Sequence, residues 1–285
     1  MFNPYYDHSV LLLPMEGANG STTFTERSPA AQTVTPSGDA KVSTAQSKWG
    51  NGSGYFDGTG DWLTIAGNYQ LNFGYTDFIL GMWLRPAALP ATDKVLLEFR
   101  GGAGWVLFLD SANKLQGFDG ALLTASTTAV TLNTWAYLEM SKVGLDTWWS
   151  VDGAPAGLAS TSKTNFTPAT QLRIGMRNDG VAGYTGYMQD LFIARGKGRP
   201  YGAFTPPTAL WRPTTLGGTV LVSGNGGADQ VVIRDVATRQ LAAIATPNAT
   251  TGVWSATVQE GENDISYFAD DCQPVCHGPY TVTAT

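Results

Sequence analysis

The sequence predicts an all-β protein built from β-sandwich units. Its apolar segments are short, rich in aromatic and β-branched residues, and bounded by Gly, Pro, Asp or Asn, as is typical of strands. In the first 205 residues these segments span 77–86, 94–100, 104–110, 134–142 and 146–153. No long segment has the periodicity of an amphipathic helix. Many strands separated by closely spaced turns therefore indicate a sandwich.

Residues 50–65, GNGSGYFDGTGDWLTI, are unusually rich in glycine. A phosphate-binding loop would need a helix directly after the glycines, with its amino terminus facing the anion. No helical pattern follows, so the glycines are assigned to turns. Gly50, Gly52 and Gly54 are expected to let the chain turn before a short strand, and the aspartate-glycine pairs to make a second turn before the next strand.

The segment 134–142 shows the alternation of a strand. One set of alternate positions holds Trp135, Tyr137 and Glu139, and the other holds Ala136, Leu138 and Met140. We therefore expect a strand with one buried face. After the next strand, the pair Asp152 and Gly153 predicts a tight hairpin, because both residue types accept positive φ angles.

A boundary between two folded units is expected near residue 210. Residues 206–216 are rich in proline, which resists both helix formation and ladder pairing. They are interpreted as a linker between a first domain, residues 1–205, and a second, residues 217–285. The second domain contains about six or seven short strand-like segments and is predicted to be a small β-sandwich.

Composition and charge exclude several classes of function. The 285-residue chain has a formal net charge of −6, which would repel a phosphate backbone, so no nucleic-acid partner is expected. The amino-terminal apolar run is too short for an export signal or a membrane span, and no membrane insertion is expected. The basic run from Arg195 to Arg199 is interpreted as a solvated turn.

The two cysteines, Cys272 and Cys276, lie close together and are followed by His277. A zinc site would need four ligands, and the only other histidine is His8, so zinc is not favoured. A disulfide across the intervening proline is geometrically possible. Reduced thiols are the default for a protein assembled in a cytosol, and the choice between bridged and reduced cysteines stays open.

Residues 8–200 resemble laminin-G-like, concanavalin A-like jelly-roll domains, especially those of bacteriophage tail and surface proteins. Five pieces carry the resemblance in the correct order, at residues 9–29, 50–65, 77–86, 148–157 and 172–195. Residues 217–285 more loosely resemble the small carboxypeptidase-regulatory-like, transthyretin-like or immunoglobulin-like sandwiches. The expected fold is therefore a concanavalin A-like jelly roll followed by a small β-sandwich.

The resemblance implies a structural protein of a phage particle, in a tail fibre, a tail tip or a capsid decoration. Its jelly roll would present a lectin-like surface for recognition or adhesion, with other virion proteins and a host surface glycan as partners. Assembly in the host cytoplasm, followed by incorporation into the virion as an oligomer or in many copies, is expected. The alternative is a soluble, non-catalytic glycan-binding module of a bacterial surface system.

No catalytic activity is expected. Glucanases that share this jelly roll place a Glu-x-Asp-x-x-Glu cluster on one strand, because glycoside hydrolysis needs two facing carboxylates. No predicted strand of the first domain carries two glutamates. Glu98 and Glu139 remain as carboxylates that could meet across a sheet, but isolated carboxylates on strands usually face solvent. Neither His8 nor His277 is placed to serve as the base of a catalytic triad.

Two sets of residues are candidates for ligands. Trp148 and Trp149 are adjacent in a strand and point to opposite faces, so they are candidates for sugar stacking if one face is left uncovered. The alternative is that one ring lies in the core and the other is packed under a loop. The resemblance also implies a structural calcium ion held by Asp190 with carbonyls around Gly17 and Gly58, since calcium favours six to eight oxygen ligands. The alternative for Asp190 is that it caps a turn.

Overall fold

The structure is a computed structural model that describes residues 5, 8–88, 92–100, 104–161, 170–209, 213–219, 230–235, 241–246, 248, 250–251, 253–259, 261–268 and 275–282. The chain divides into two compact units, of which one spans Tyr5–Leu210 and the other contains Trp211–Thr285. Each unit is described by itself. Within the described residues, no helix has the length and apolar composition needed to cross a membrane.

The described part of the first unit contains antiparallel strands and a short 3-10 turn at Tyr69–Leu71. The strands are β1 (Ser9–Leu13), β2 (Val34–Ser37), β3 (Lys41–Ser43), β4 (Ser53–Asp57), β5 (Trp62–Ala66), β6 (Phe78–Pro86), β7 (Lys94–Arg100), β8 (Trp105–Leu109), β9 (Leu115–Phe118), β10 (Ala136–Val143), β11 (Asp146–Val151), β12 (Ala154–Ser160), β13 (Gln171–Ile174) and β14 (Thr185–Arg195).

These strands form two sheets. The larger, eight-stranded sheet has the order β12-β11-β10-β6-β14-β4-β3, with β1 also paired to β14, and the six-stranded sheet has the order β2-β5-β13-β7-β8-β9. Apolar side chains from both sheets form one buried cluster between them. Rings fill much of this core, and those of Phe99 and Trp105 stack with centroids 4.3 Å apart. The predicted all-β, jelly-roll-like sandwich is confirmed.

The glycine-rich segment forms a corner between the two sheets. Its first strand, β4, lies in the larger sheet and its second strand, β5, lies in the smaller one. Gly58 and Gly60 lie between these two strands and have φ angles of 89° and 76°, respectively. Residues with a Cβ rarely adopt this backbone conformation. The buried carboxylate of Asp61 holds the corner by accepting N–H bonds from Asp57 and Asp39, at 3.0 and 2.9 Å. The assignment to turns and strands is confirmed for Gly50 and Gly52, which precede β4 with positive φ angles, whereas Gly54 lies inside that strand.

Strand β10 is buried on both faces, so the expectation of a single buried face was wrong. The cause is residues 196–206, here called the strap, which follow β14 and lie across the outer face of the larger sheet. The Arg199 backbone N–H donates to Ser141 Oγ at 2.8 Å. The Phe204 backbone N–H donates to the Gly153 carbonyl at 2.9 Å. The strap therefore covers the outward side chains of β10.

The hairpin predicted between β11 and β12 is present. Asp152 and Gly153 both have positive φ angles, 50° and 76°, in the turn that joins the two strands. One Asp152 carboxylate oxygen also accepts the backbone N–H of Tyr137 at 2.8 Å. The turn is thus fastened to the neighbouring strand β10.

The second unit also contains antiparallel strands. They are β15 (Pro213–Thr219), β16 (Gln230–Asp235), β17 (Leu241–Ala245), β18 (Val253–Gln259), β19 (Gly261–Phe268) and β20 (Val275–Val282). Strand β15 pairs with β18, and the other four form a sheet of order β17-β16-β19-β20. Strand β15 begins inside the segment interpreted as a linker. Cys272 lies outside the described residues, so the state of the two cysteines stays a prediction.

Candidate functional site

Four side chains form a continuous row across the outer face of the larger sheet. Strand register places Lys41 beside Tyr55, Tyr55 beside Tyr187, and Tyr187 beside Arg85. The four residues come from β3, β4, β14 and β6, which are neighbours in the sheet. Because directly paired residues of antiparallel strands point to the same face, these side chains lie side by side. We call these four residues the tyrosine row.

The two rings of the tyrosine row pack against each other and are flanked by cations. The ring centroids of Tyr55 and Tyr187 are 5.0 Å apart, with planes inclined by 43°. Lys41 Nζ lies 5.8 Å from the centroid of Tyr55, and the Arg85 guanidinium carbon lies 5.8 Å from that of Tyr187. All four side chains are half-buried. The row therefore presents apolar ring surface, phenolic hydroxyls and cationic N–H donors together at the surface.

The two ends of the row differ in their charge. Lys41 pairs with Asp39 at 3.1 Å, and this partner raises the pKa of Lys41. At the other end, Arg85 Nη1 donates to the amide oxygen of Asn133 at 3.3 Å. No carboxylate within the described ranges forms an ion pair with Arg85.

Burial, followed by the neighbouring Tyr187, raises the pKa of Tyr55, so its hydroxyl stays protonated at neutral pH.

The loop of residues 44–52, which joins β3 to β4, lies beside the row. Trp83, two residues before Arg85 on β6, packs edge-on against Trp49 with centroids 5.8 Å apart. Lys48 Nζ lies 3.9 Å from the Trp83 ring centroid. The buried Gln189 side chain fixes this loop, because it accepts the Lys48 backbone N–H at 2.7 Å and donates to the Gly52 carbonyl at 2.7 Å. Lys48 is thus a third cation on the same face, in addition to Lys41 and Arg85 of the row.

The structure contradicts an exposed role for either predicted tryptophan. Trp149 is fully buried in the core between the sheets, and its Nε1 donates to the Thr124 carbonyl at 2.7 Å. Trp148 points to the other face but is also buried, with the Tyr201 ring of the strap 5.7 Å away. Both faces of β11 are covered, and neither ring is available for stacking on a sugar.

The two glutamates considered as a catalytic pair do not meet. Glu139 lies on β10 of the larger sheet and Glu98 on β7 of the smaller sheet. Their strand neighbours enter the core, so the two carboxylates point outward on opposite sides of the sandwich. Both are only 1% exposed, which corrects the expectation of solvent-facing side chains. Glu98 accepts the backbone N–H of Asn178.

Glu139 forms a buried ion pair with the strap. Arg199 Nε donates to Glu139 Oε1 at 2.7 Å, and Nη2 lies 3.3 Å from Oε2. The guanidinium carbon lies 3.9 Å from the Phe204 ring centroid. Burial raises the pKa of Glu139, while the hydrogen bond and charge of Arg199 oppose that shift. Arg199 therefore has a structural partner and does not belong to a solvated turn.

The residues implied for calcium are placed at two separate points along β14. Asp190 is buried in a bulge of β14 with a φ angle of 57°, and its N–H donates to the Pro14 carbonyl at 3.3 Å. Gly17 lies three residues beyond Pro14 and donates to the Asn51 carbonyl at 2.9 Å. Gly58 lies against Thr185, at the far end of β14, and is not brought to Asp190. A calcium ion near Asp190 and Gly17 stays a prediction.

One other acidic group has the spacing of a metal site. Ligand oxygens of Asp39, Asp57 and Asp61 lie within 4.8 Å of one another. Asp39 is already paired with Lys41, and burial raises the pKa of Asp61. The two Asp61 oxygens accept backbone N–H groups. These contacts explain why the three carboxylates lie together, because the bonds to Asp61 hold the corner between β4 and β5.

Sequence reasoning missed the tyrosine row. Tyr55 was placed in a strand, and Tyr187 falls in the segment that resembles a closing strand, but neither was identified as a surface residue. The alternation within each strand could have indicated their outward direction. The row itself depends on pairing between strands that are distant in the chain, which no local pattern reveals.

Comparison with known proteins supports the fold. No protein-family model and no curated protein matches the sequence. The binding domain of Paraclostridial Mosquitocidal Protein 1 is similar in structure, with a TM-score of 0.55 and 11% identity over 92% of this chain and 76% of that chain. The binding domain of botulinum neurotoxin serotype G has a TM-score of 0.52 and 11% identity over 96% of this chain and 70% of that chain. At such low identity, the likeness concerns the fold alone.

Proposed function

We propose that this chain is a non-catalytic, lectin-like recognition protein of a bacteriophage particle, and that the tyrosine row binds saccharide. The observation that carries the proposal is the half-buried pair of Tyr55 and Tyr187 between two cations on one face of the sheet. Two structurally similar proteins are themselves described as binding domains. The resemblance of residues 8–200 to phage jelly rolls supports the place in a virion.

The chemistry of the row suits a sugar. Ring faces pack against the C–H groups of a pyranose, while the phenolic hydroxyls donate to and accept from sugar hydroxyls. The Lys41 and Arg85 heads add N–H donors on either side of the rings. A small number of polar groups around apolar contact surface is the usual composition of a small-molecule site.

Replacing Tyr187 with alanine is expected to weaken saccharide binding by about tenfold or more, because it removes one ring and exposes the flank of the other. Tyr55→Ala should have a similar effect. Binding of the full chain to an array of immobilised oligosaccharides, followed by calorimetry on those that bind, measures this change. The control is Tyr69→Ala, which removes a 76% exposed tyrosine from the 3-10 turn beside the other sheet. Equal binding by all three variants and the unchanged chain would contradict the assignment of the site.

Incorporation into particles is the second expected result. Peptides from both units should appear in purified, extensively washed phage particles by mass spectrometry, at a constant ratio to the major virion proteins. In the described sheet of the second unit, β20 is an edge strand, and edge strands can pair with a strand of a neighbouring protein. We assign docking to other virion proteins, or to further copies of the chain, to this unit. Absence from washed particles would favour the soluble glycan-binding module of a bacterial surface system.

A further inference from the structure

We infer that the tyrosine row selects a saccharide that carries a carboxylate, and that Arg85 is the residue that binds this group. The inference rests on the proposed saccharide-binding function and adds the chemical class of the ligand. It is carried by the position of Arg85, the way in which its guanidinium is held, and the difference in charge between the two ends of the row.

The Arg85 guanidinium is held in place on two sides. Its carbon lies 5.8 Å from the Tyr187 ring centroid, and Nη1 donates to Asn133 Oδ1 at 3.3 Å. Asn133 is itself anchored, because its backbone N–H donates to the Pro86 carbonyl at 2.8 Å. A guanidinium restrained before binding loses less conformational entropy when a ligand arrives.

The remaining donors of Arg85 have no carboxylate partner in the described part of the chain. By contrast, Arg27, Arg177 and Arg199 each form an ion pair with a glutamate or aspartate. Arginine presents five N–H donors in a planar fork that matches a carboxylate with two parallel hydrogen bonds. Arg85 uses one of these donors on an amide oxygen and keeps its full charge at the end of the row.

The charges give the row a direction. At one end, the charge of Lys41 is balanced by Asp39, 3.1 Å away. At the other end, Arg85 is joined on the same face by Lys48, whose Nζ lies over the Trp83 ring. We therefore place the ligand carboxylate at the Arg85 end, the sugar ring over Tyr187 and Tyr55, and uncharged hydroxyls at the Lys41 and Asp39 end.

The cationic Arg85 end of the row contrasts with the negative net charge of the whole chain. A formal charge of −6 repels anions at long range, so a preference for an acidic sugar has to come from direct contacts. A carboxylate can bind the guanidinium fork through two parallel N–H···O bonds, and a tetrahedral oxyanion can do the same. Of these two anions we commit to the carboxylate, and sulfated saccharides serve as the comparison that distinguishes them.

The test compares matched saccharides on the full chain by calorimetry. Suitable probes are sialyllactose against lactose, oligogalacturonate against its methyl ester, and a sulfated lactose. The unchanged protein is expected to bind at least one carboxylated probe about tenfold more tightly than its neutral partner. Arg85→Gln should remove this preference and retain binding of the neutral partner, because both tyrosines remain. Arg85→Lys, which keeps the charge but not the fork, should retain only part of the preference.

Arg177→Gln is the matched control, because it removes the same charge from an exposed arginine that pairs with Asp179 elsewhere on the unit. It should leave the preference intact. Equal binding of carboxylated and neutral probes, stronger binding of the sulfated probe, or a preference that survives Arg85→Gln would each overturn the inference while leaving saccharide binding in place. Absence of binding to every saccharide, or binding that is indifferent to Tyr187→Ala, would overturn the proposed function as well.

Discussion

Arg199→Ala is expected to lower the free energy of unfolding of the first unit by about 3 kcal/mol at neutral pH. The substitution leaves the Glu139 carboxylate, which is 1% exposed, without its cation in the interior. Removing one partner of a buried ion pair costs more than the pair contributes, because an uncompensated charge stays out of water. The contact with Phe204, 3.9 Å from the guanidinium, is lost at the same time. Urea unfolding followed by tryptophan fluorescence measures the change.

The loss on Arg199→Ala should depend on pH. Burial raises the pKa of Glu139 above its ordinary value of 4.5, so the folded protein binds this proton more tightly than the unfolded chain does. Ionisation of Glu139 therefore lowers stability as the pH rises from about 4.5 towards the raised pKa. Without Arg199 the pKa of Glu139 in the folded protein rises further, because Arg199 opposes the effect of burial. The pH range over which ionisation of Glu139 lowers stability therefore becomes wider. The difference in the free energy of unfolding between Arg199→Ala and the unchanged protein should therefore be smaller at acidic pH and larger at neutral pH.

The control for this experiment is Arg177→Ala. Arg177 pairs with Asp179 at 2.7 Å, but their side chains are 38% and 52% exposed, and solvent-exposed pairs contribute about 1 kcal/mol or less. Equal losses in the two variants, with no dependence on pH in Arg199→Ala, would show that the pair with Glu139 is not what fastens the strap.

Trp149→Ala is expected to destabilise the first unit by about 3 to 5 kcal/mol. The ring lies fully buried in the cluster between the sheets, so its removal leaves a cavity. The Thr124 carbonyl also loses the indole N–H that it accepts at 2.7 Å, which adds the cost of an unsatisfied polar group. The midpoint of urea unfolding should fall accordingly.

A matched variant separates packing from ligand binding. Trp62→Ala removes a half-buried ring on β5, where Arg173 lies 4.7 Å from the centroid, and should cost about 1 kcal/mol. If Trp149→Ala instead kept its stability and lost saccharide binding, the original expectation that this residue is a ligand residue would be restored.

The parts of the fold that could be predicted from sequence are those set by neighbouring residues. The hairpin at Asp152 and Gly153 follows from the positive φ angles that this pair accepts. The sheet corner follows from glycines around Gly58 with strand-forming residues on both sides. In each case the residue types of a short segment determine its backbone conformation, so no contact with a distant part of the chain is needed to predict it.

Burial of β10 could not be predicted in the same way. Its outward residues have the alternation of a half-exposed strand, and what buries them is the strap about 60 residues further along the chain, as the Glu139 and Arg199 separation shows. A glutamate on a strand and an arginine in a basic run both fit solvent exposure when each is considered separately. Their pairing is a tertiary property. The tyrosine row has the same origin, since Tyr55 and Tyr187 meet only through strand register.

Strand β14 has a further consequence for the order in which the first unit folds. Its first half pairs with β4, its second half pairs with β1, and its other edge pairs with β6 along nearly its whole length. Since β14 is the last strand of this unit along the chain, a ribosome must complete residue 195 before three earlier strands acquire their common neighbour. Until then β6 has an open edge of the kind that promotes association between incomplete chains. Native pairing is therefore dominated by long-range contacts, and this unit is expected to fold late and slowly for its size.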